Sequence, residues 1–398
     1  MIDVIGGTYL EICMSPEVSQ FYGSGGRAAT ALAGRTQVRL HTCIGPNRGR
    51  DTARLAALGG FKVEPTPSAV DVTFGYVHPL QSTQVTPARG TFDRSAPLRV
   101  SEQPETALVF GMYEAMPTVT ARTLVYDPQD GVAPIAFKDS GCIATERLAI
   151  LMNAGEALVA TKCHTIEEAG RKLLVENNAS VVIVKSGARG ALVFSAATEG
   201  FEAVPAYRSS TMFGIGSGDV FAAAFTYFWG ELRESPAVAA DKASRAVSHY
   251  VETRSDRLAT DEEIAKDRRP VAITPGKIYL AGPFFTMAQR WLIEEVKDQL
   301  LQMNLDVFSP LHHVGRGPAE VVAEADLAGL EECDRVFAVL DGLDAGTLFE
   351  VGYARKMGIP VYGYGETIEP ENSKMITGSG CHLIPDFATA IYFAGWKV

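Results

Sequence analysis

The 398-residue chain carries 46% hydrophobic and 21% charged residues, the balance of a globular protein, at a length beyond one ordinary core, so two domains are expected. A net charge of −11 and a pI near 5.2 exclude a surface built to wrap a nucleic-acid polymer, while leaving room for a local basic pocket around one small phosphate. No apolar run approaches the ~18 residues of a bilayer span, Met1–Gly7 reads as a first strand and not as a leader, and the six cysteines show no Cys-x-x-Cys spacing, so a cytoplasmic protein with no membrane partner is the expectation.

Residues 1–255 alternate strand-like and helix-like segments. Val38–Ile44 reads as a strand and Asp51–Leu58 as a helix ending on Gly59-Gly60. Ala107–Gly111, Leu124–Tyr126 and Ala157–Ala160 are short apolar runs, Ile166–Asn177 is an amphipathic helix, and Ser180–Lys185 and Gly190–Ser195 are strands. Asp71–Val100, with its Thr, Val and Tyr residues broken by Pro and Gly, reads as antiparallel ribbon or lid. A last helix is expected near 236–253, and the charged, proline-bracketed stretch 256–275 reads as a linker.

A second alternation fills 276–398. Ile278–Ala281 is a strand breaking on Gly282-Pro283, and Met287–Met303 is a helix with apolar residues at 287, 291, 292, 296, 300 and 303. Val307–Ser309 is a strand, Pro318–Glu332 a helix, Arg335–Leu340 a strand, Thr347–Met357 a helix ended by Gly358, and Ile359–Tyr362 a strand. The fold class is therefore α/β in both halves.

In an open α/β sheet, ligands bind outside the carboxyl ends of the strands, and two such ends here deliver Gly282-Pro283 and the carboxylates Asp341, Asp344 and Glu350. Gly346 lets the chain turn sharply. With Thr347 as N-cap, Glu350 stands at N3, and Thr-x-x-Glu is then a capping box. The same placement also serves chemistry: a carboxylate in the first helical turn feels the positive end of the dipole, stays ionised, and suits attack on a glycosidic carbon. Asp341 and Asp344 either bind sugar hydroxyls or protonate a leaving base, or else they are solvated loop acids, with Asp344 a turn former before Ala-Gly. His312 and His313, at another strand end, either contact substrate or phosphate or are incidental.

The run Ile278-Tyr-Leu-Ala-Gly-Pro283, the Asp326 helix, and Val336-Phe-Ala-Val-Leu-Asp341 followed by Asp344-Ala-Gly-Thr-x-x-Glu350-x-Gly-Tyr-Ala354 resemble the nucleoside 2-deoxyribosyltransferase family, which includes deoxynucleoside monophosphate N-glycosidases. The resemblance implies a flavodoxin-like parallel sheet. It implies that Glu350 attacks the anomeric carbon and passes the sugar to a second base or to water, with no cofactor. It implies that Tyr279 steadies the nucleophile, that Asp326 and Asp341 lie near sugar and base, and that Gly282, Pro283 and Gly346 belong to the substrate loops. The spacing Asp341-Gly-Leu-Asp344 is shorter than in many members, which leaves the roles of the two acids open. Sites in this family are commonly completed by a neighbouring subunit, so the tail Cys381–Val398 is expected to cross to another copy of a homo-oligomer.

In the first half, Gly214-Ile-Gly-Ser-Gly-Asp219 is a glycine-rich loop feeding an apolar helix, a pattern that brings backbone N–H groups close to anionic oxygens. Asp219 then either takes a proton from an attacking hydroxyl or is a plain N-cap. Together with Gly25-Gly-Arg-Ala-Ala-Thr-Ala31, Asn153-Ala-Gly-Glu156 and Lys185-Ser-Gly-Ala-Arg-Gly-Ala191, this loop resembles the ribokinase-like (PfkB) carbohydrate and nucleoside kinases. The resemblance implies a three-layer α/β/α domain with a small β lid, ATP and Mg2+ as cofactors, Asp219 as base, and Gly216, Ser217 and Gly218 as anion hole. It further implies that Asn153 and Glu156 serve metal and phosphate, that Lys185 and Gly187 lie beside ATP, and that Gly25 and Gly26 lie near the acceptor. Thr30, Phe213 and Glu11 depart from residues common in that family.

The expected function is a fused enzyme of nucleoside or nucleotide salvage. Its second half cleaves or transfers an N-glycosidic bond and its first half phosphorylates a sugar or nucleoside. The alternative is a nucleotide-sensing protein whose inactive kinase-like half regulates the other.

Overall fold

The structure is a computed structural model and describes residues 1–93, 97–130 and 133–397. The chain folds into two compact units, Met1–Ser209 with Phe213–Val271, and Ser210–Met212 with Ala272–Val398. The segment read as linker carries the helix Asp261–Ala265 and the strand Pro270–Val271, which pairs with Ala206–Tyr207 inside the first unit.

The first unit is built on a sheet in the order Glu202–Val204, Ala191–Ser195, Val181–Lys185, Ile143–Asn153, Thr120–Asp127, Thr106–Phe110, Ile2–Ile5, Val38–Ile44, Lys62–Pro67. From Val181–Lys185 onward the strands run parallel, while Ala191–Ser195 pairs antiparallel with both Val181–Lys185 and Glu202–Val204. Strand residues alternate between faces. Ile5, Leu124, Tyr126, Ile150 and Val182 bury against Ala157, Ala169 and Leu173 of the helices Ala154–Thr161 and Ile166–Glu176. On the other face, Gly230 approaches Thr106 so closely that a Cβ would stand 2.9 Å from its methyl group, and the helices Gly23–Leu32, Ser217–Phe225 and Pro236–Thr253 pack there. Three layers result, as expected.

Val18–Phe21, Leu10–Cys13, Thr73–Tyr76 and Gln84–Thr86 form a separate small sheet, the lid. Within the stretch 71–100, the antiparallel pair is Thr73–Tyr76 with Gln84–Thr86, and residues 94–96 lie outside the described residues. The apolar run Ala157–Ala160 lies within the helix Ala154–Thr161. The strand before it, Ile143–Asn153, is exposed and polar along its first half and buried at Leu148–Met152, so no clean alternation marks it.

The second unit holds a five-stranded, all-parallel sheet in the order Asp306–Phe308, Lys277–Ala281, Arg335–Val339, Val361–Tyr364, His382–Ile384. Numbered by appearance this is 2-1-3-4-5, the flavodoxin-like order, whose switch point lies between Lys277–Ala281 and Arg335–Val339. Tyr279, Ala281, Val336 and Ala338 bury with Leu330, Val351 and Ala354 of the helices Ala319–Glu331 and Ala345–Lys356. The tail does not leave its own unit. His382–Ile384 is the edge strand, and the buried helix Phe387–Trp396 sets Phe387 edge-on to Tyr364, ring centroids 5.4 Å apart. Arg335 ties it down by donating from Nη1 to the Ala394 carbonyl at 2.9 Å. No helix among the described residues is long and apolar enough to cross a membrane.

Candidate active sites

In the second unit, the helix after Asp341 starts earlier than its sequence suggests. Asp344 is the N-cap, its Oδ2 accepting from the Thr347 amide at 2.9 Å and from Thr347 Oγ1 at 3.0 Å. The capping box on Thr347 is therefore absent, and Glu350 lies in the second turn, its side chain making no backbone hydrogen bond among the described residues. The nearby Asp344 explains the difference: an Asp three residues before a Thr caps as well as a Thr does, and the tight turn at Gly342 (φ +85°) and Leu343 (φ +49°) presents it.

Glu350 instead meets the strand at the switch point. Tyr279, fully buried, donates its hydroxyl to Glu350 Oε1 at 2.6 Å. Burial pushes the Glu350 carboxyl up to about 7; the Tyr279 hydrogen bond opposes that rise, and the charges of Asp326 and Asp344 add to it. The nucleophile candidate is thus poised between its two protonation states near neutrality, not held ionised by the helix dipole. Burial also raises the Asp326 carboxyl, and its Oδ1 is enclosed without a hydrogen-bond partner among the described residues.

Asp341 stands elsewhere. Its carboxylate accepts from the Glu366 amide at 2.9 Å and from the Thr367 amide and hydroxyl at 3.0 Å, anchoring the loop after the next strand. Gly282 passes over the strand ends where a Cβ would meet Ile293 at 2.7 Å, and Pro283 is buried beside it. Gly346 follows the cap, a Cβ there lying 3.2 Å from Asp344 Oδ2. His312 is paired with Glu294 at 2.8 Å, and His313 stacks on Phe308 with centroids 4.8 Å apart.

In the first unit, Gly216 is the N-cap of Ser217–Phe225 at φ +78°, a conformation that suits glycine, and its missing side chain leaves room for Arg27, whose Nε would lie 2.0 Å from a Cβ. Asp219 makes no cap. Its Oδ1 accepts from Gln129 Nε2 at 2.6 Å and its Oδ2 faces Arg27 Nε at 3.3 Å. Burial pushes Asp219 up to about 6, with Arg27 pulling the other way. Arg27 also pairs with Glu11 of the lid and donates to Tyr250 at 2.9 Å, whose hydroxyl donates to the Ile215 carbonyl at 2.7 Å.

Lys185 ends its strand and donates to Asp127 Oδ2 at 2.6 Å, and its Nζ is the nearest group, at 3.7 Å, to a Cβ placed on Gly218. The lysine head thus lies beside the glycine loop. Asn153 and Glu156 form a complete capping box, at 2.8 and 2.9 Å. Glu156 is nonetheless pushed up to about 7, by burial first and the neighbouring Asp127 second. Gly187 opens the 3-10 turn that follows Lys185. Gly25 and Gly26 are packing positions: a Cβ on Gly25 would stand 2.5 Å from the Gly6 carbonyl, and one on Gly26 2.8 Å from Leu55. Among the described residues, no group of three or more His, Cys, Asp or Glu side chains is arranged to hold a metal ion.

Sequence reasoning missed Arg27, Gln129, Asp127 and Tyr250. Asp127 had a usable signal, a carboxylate directly after the apolar run Leu124–Tyr126 at a strand's carboxyl end. Arg27 lay inside a quoted glycine motif, but nothing in its spacing says that it turns inward.

Two family models match the chain. The nucleoside 2-deoxyribosyltransferase model matches residues 278–380, and the pfkB family carbohydrate kinase model matches residues 149–261. The chain therefore joins a domain of each of these enzyme families. An uncharacterized protein of Ureaplasma parvum serovar 3 is 35% identical over 91 residues, 19% of this chain and 58% of that protein, so the match spans little more than half of that relative's length. Among solved structures, a ribokinase from Thermotoga maritima is 16% identical with a TM-score of 0.48, covering 66% of this chain and 97% of that one. A Burkholderia thailandensis nucleoside kinase, solved with inosine, is 17% identical with a TM-score of 0.48, covering 66% and 96%.

Proposed function

We propose that the second unit cleaves or transfers the N-glycosidic bond of a nucleoside, a deoxynucleoside or a 5′-monophosphate through Glu350. The observation that carries this reading is the buried Tyr279–Glu350 pair at the switch point of the sheet, 2.6 Å apart, at residues the family model covers. Ionised Glu350 attacks the anomeric carbon through one carboxylate oxygen. The bond from that carbon to the base nitrogen breaks, and its electron pair stays with the base, which takes a proton from water. Water or a second base then attacks the anomeric carbon and gives up its proton to solvent, and the bond from that carbon to the Glu350 oxygen breaks, returning the carboxylate. Tyr279 stays neutral, because burial and the adjacent carboxylate raise its pKa, so it donates a hydrogen bond throughout. Asp344 caps the helix that carries the nucleophile, and Asp341 holds the neighbouring loop.

The first unit, in the same proposal, transfers a phosphoryl group from ATP to a sugar or nucleoside hydroxyl. Asp219 accepts the hydroxyl proton and the amides of Gly216–Gly218 face the phosphoryl oxygens. The donor set fits Mg2+ only in its water-rich form: Asp127 and Glu156 would hold the hydrated ion, and Lys185 the phosphates, with the ion supplying charge neutralisation.

Acid quenching during turnover, followed by peptide mass measurement, tests the glycosyl reading. A pentosyl adduct on the peptide containing Glu350 is expected; an adduct on another residue, or turnover retained in Glu350→Gln, overturns it. ATP consumption that depends on an added acceptor and is lost in Asp219→Asn supports the kinase half. Tight ligand binding with no product formed would favour the sensing alternative.

A further inference from the structure

Tyr279 reaches Glu350 from a ring that has no covalent support beyond its Cβ, and the χ2 torsion of a tyrosine is broad. Its plane must be set by packing. Across the parallel ladder Tyr279 is in register with Phe308, and the two rings stack with centroids 5.5 Å apart and planes 16° apart. Phe308 is backed in turn by His313, at 4.8 Å and 19°. The His313 Nδ1 lies 3.2 Å from the Ser309 amide nitrogen, which fixes the outer ring to the chain. On a further side, Gly329 of the helix Ala319–Glu331 leaves the space Phe308 fills: a Cβ there would lie 2.2 Å from Phe308 Cζ. Lys277 Nζ stands 5.5 Å from the centre of the Phe308 ring. Three rings thus run in series from the end of one strand to the nucleophile.

We propose that Phe308, backed by His313, is a positioning residue that acts through Tyr279, holding its hydroxyl on Glu350 Oε1. Phe308 itself touches neither Glu350 nor substrate in this role. Asp326 and Asp344 are the other acids facing Glu350, and neither belongs to the stack. The turnover arm of the test rests on the glycosyl reading above; the titration arm does not.

The experiment follows the Glu350 carboxyl by NMR in the full-length protein, labelled with 13C at glutamate Cδ and assigned by its loss in Glu350→Gln. The hydrogen bond from Tyr279 favours the ionised carboxylate, so losing it raises the titration midpoint. Tyr279→Phe is expected to raise it by about one pH unit, as loss of one hydrogen bond to a charged group implies. Phe308→Leu is expected to raise it in the same direction, Phe308→Tyr to restore it, and Phe308→Leu combined with Tyr279→Phe to add nothing to Tyr279→Phe alone. An unmoved midpoint in Phe308→Leu, or an equal extra shift in the double variant, overturns the proposal. His313→Ala and Gly329→Ala, which disturb the stack from its two flanks, give a second reading if Phe308→Leu does not fold. On nucleoside substrates, Phe308→Leu is expected to lower kcat with KM unchanged. A wild-type protein that releases no base refutes the glycosyl reading alone, and the titration still decides the role of Phe308.

Discussion

Replacing Glu350 with glutamine should stabilise the second unit, and by an amount that depends on pH. In the folded protein the carboxyl is raised from an ordinary 4.5 to about 7, chiefly by burial. The folded state therefore holds the proton more tightly than the unfolded chain, and stability falls as pH rises from about 4.5 through about 7. The rise corresponds to about 3 kcal/mol of destabilisation once both states are ionised, at pH 8, and to less than about 1 kcal/mol at pH 5. Glutamine mimics the neutral form, and its carbonyl oxygen still accepts from Tyr279. Calorimetric melting of both proteins at pH 5 and pH 8 reads the difference directly. The variant should melt several degrees higher at pH 8, by roughly 4 °C per kcal/mol for a unit of this size, and the gap should narrow at pH 5. A variant that melts lower at pH 8, or by the same margin at both values, would refute the burial argument and revive a structural, cap-like role for this carboxylate.

Other substitutions separate structure from chemistry. Asp344→Ala removes the N-cap of Ala345–Lys356 and should cost about 1 kcal/mol by chemical denaturation, whereas Thr347→Val, which keeps the backbone amide, should cost less. Asp341→Ala frees the 366–367 loop, so hydrogen exchange should rise at the Glu366 and Thr367 amides while Glu350 keeps its titration midpoint. Gly25→Ala sets a Cβ 2.5 Å from the Gly6 backbone, which cannot rotate away, and should lower the melting point of the first unit by the equivalent of about 1–3 kcal/mol.

Much of the architecture was legible because hydrophobic period and glycine breaks agree with each other. Met287–Gln302 shows a clear helical pattern, and the strand Lys277–Ala281 was marked by the Gly282-Pro283 break that follows it. The run Ala157–Ala160 carried no type of its own, because a four-residue apolar run fits a buried strand or a helix face equally well, and the Asn153–Glu156 capping box decides for helix. At the candidate sites, residue type and order pointed to Glu350 and Asp219, and the family resemblance added Tyr279, which lies 2.6 Å from Glu350. What escaped was partnership. That Asp341 serves two loop amides while Asp344 serves the helix depends on a turn at Gly342–Leu343 whose positive φ values place the two carboxylates in different surroundings. Arg27, buried between Glu11 and Asp219, depends on a close approach to Gly216 that lies nearly two hundred residues away in the chain, and no local pattern encodes such a pairing.

The most direct test of the central claim is product analysis by chromatography. The protein is incubated with a panel of nucleosides and their 5′-monophosphates, with and without a second free base, beside Glu350→Ala. The account predicts free base, or a swapped nucleoside when a second base is present, lost in the variant. Release that persists in Glu350→Ala, or no release from any member of the panel, would contradict it.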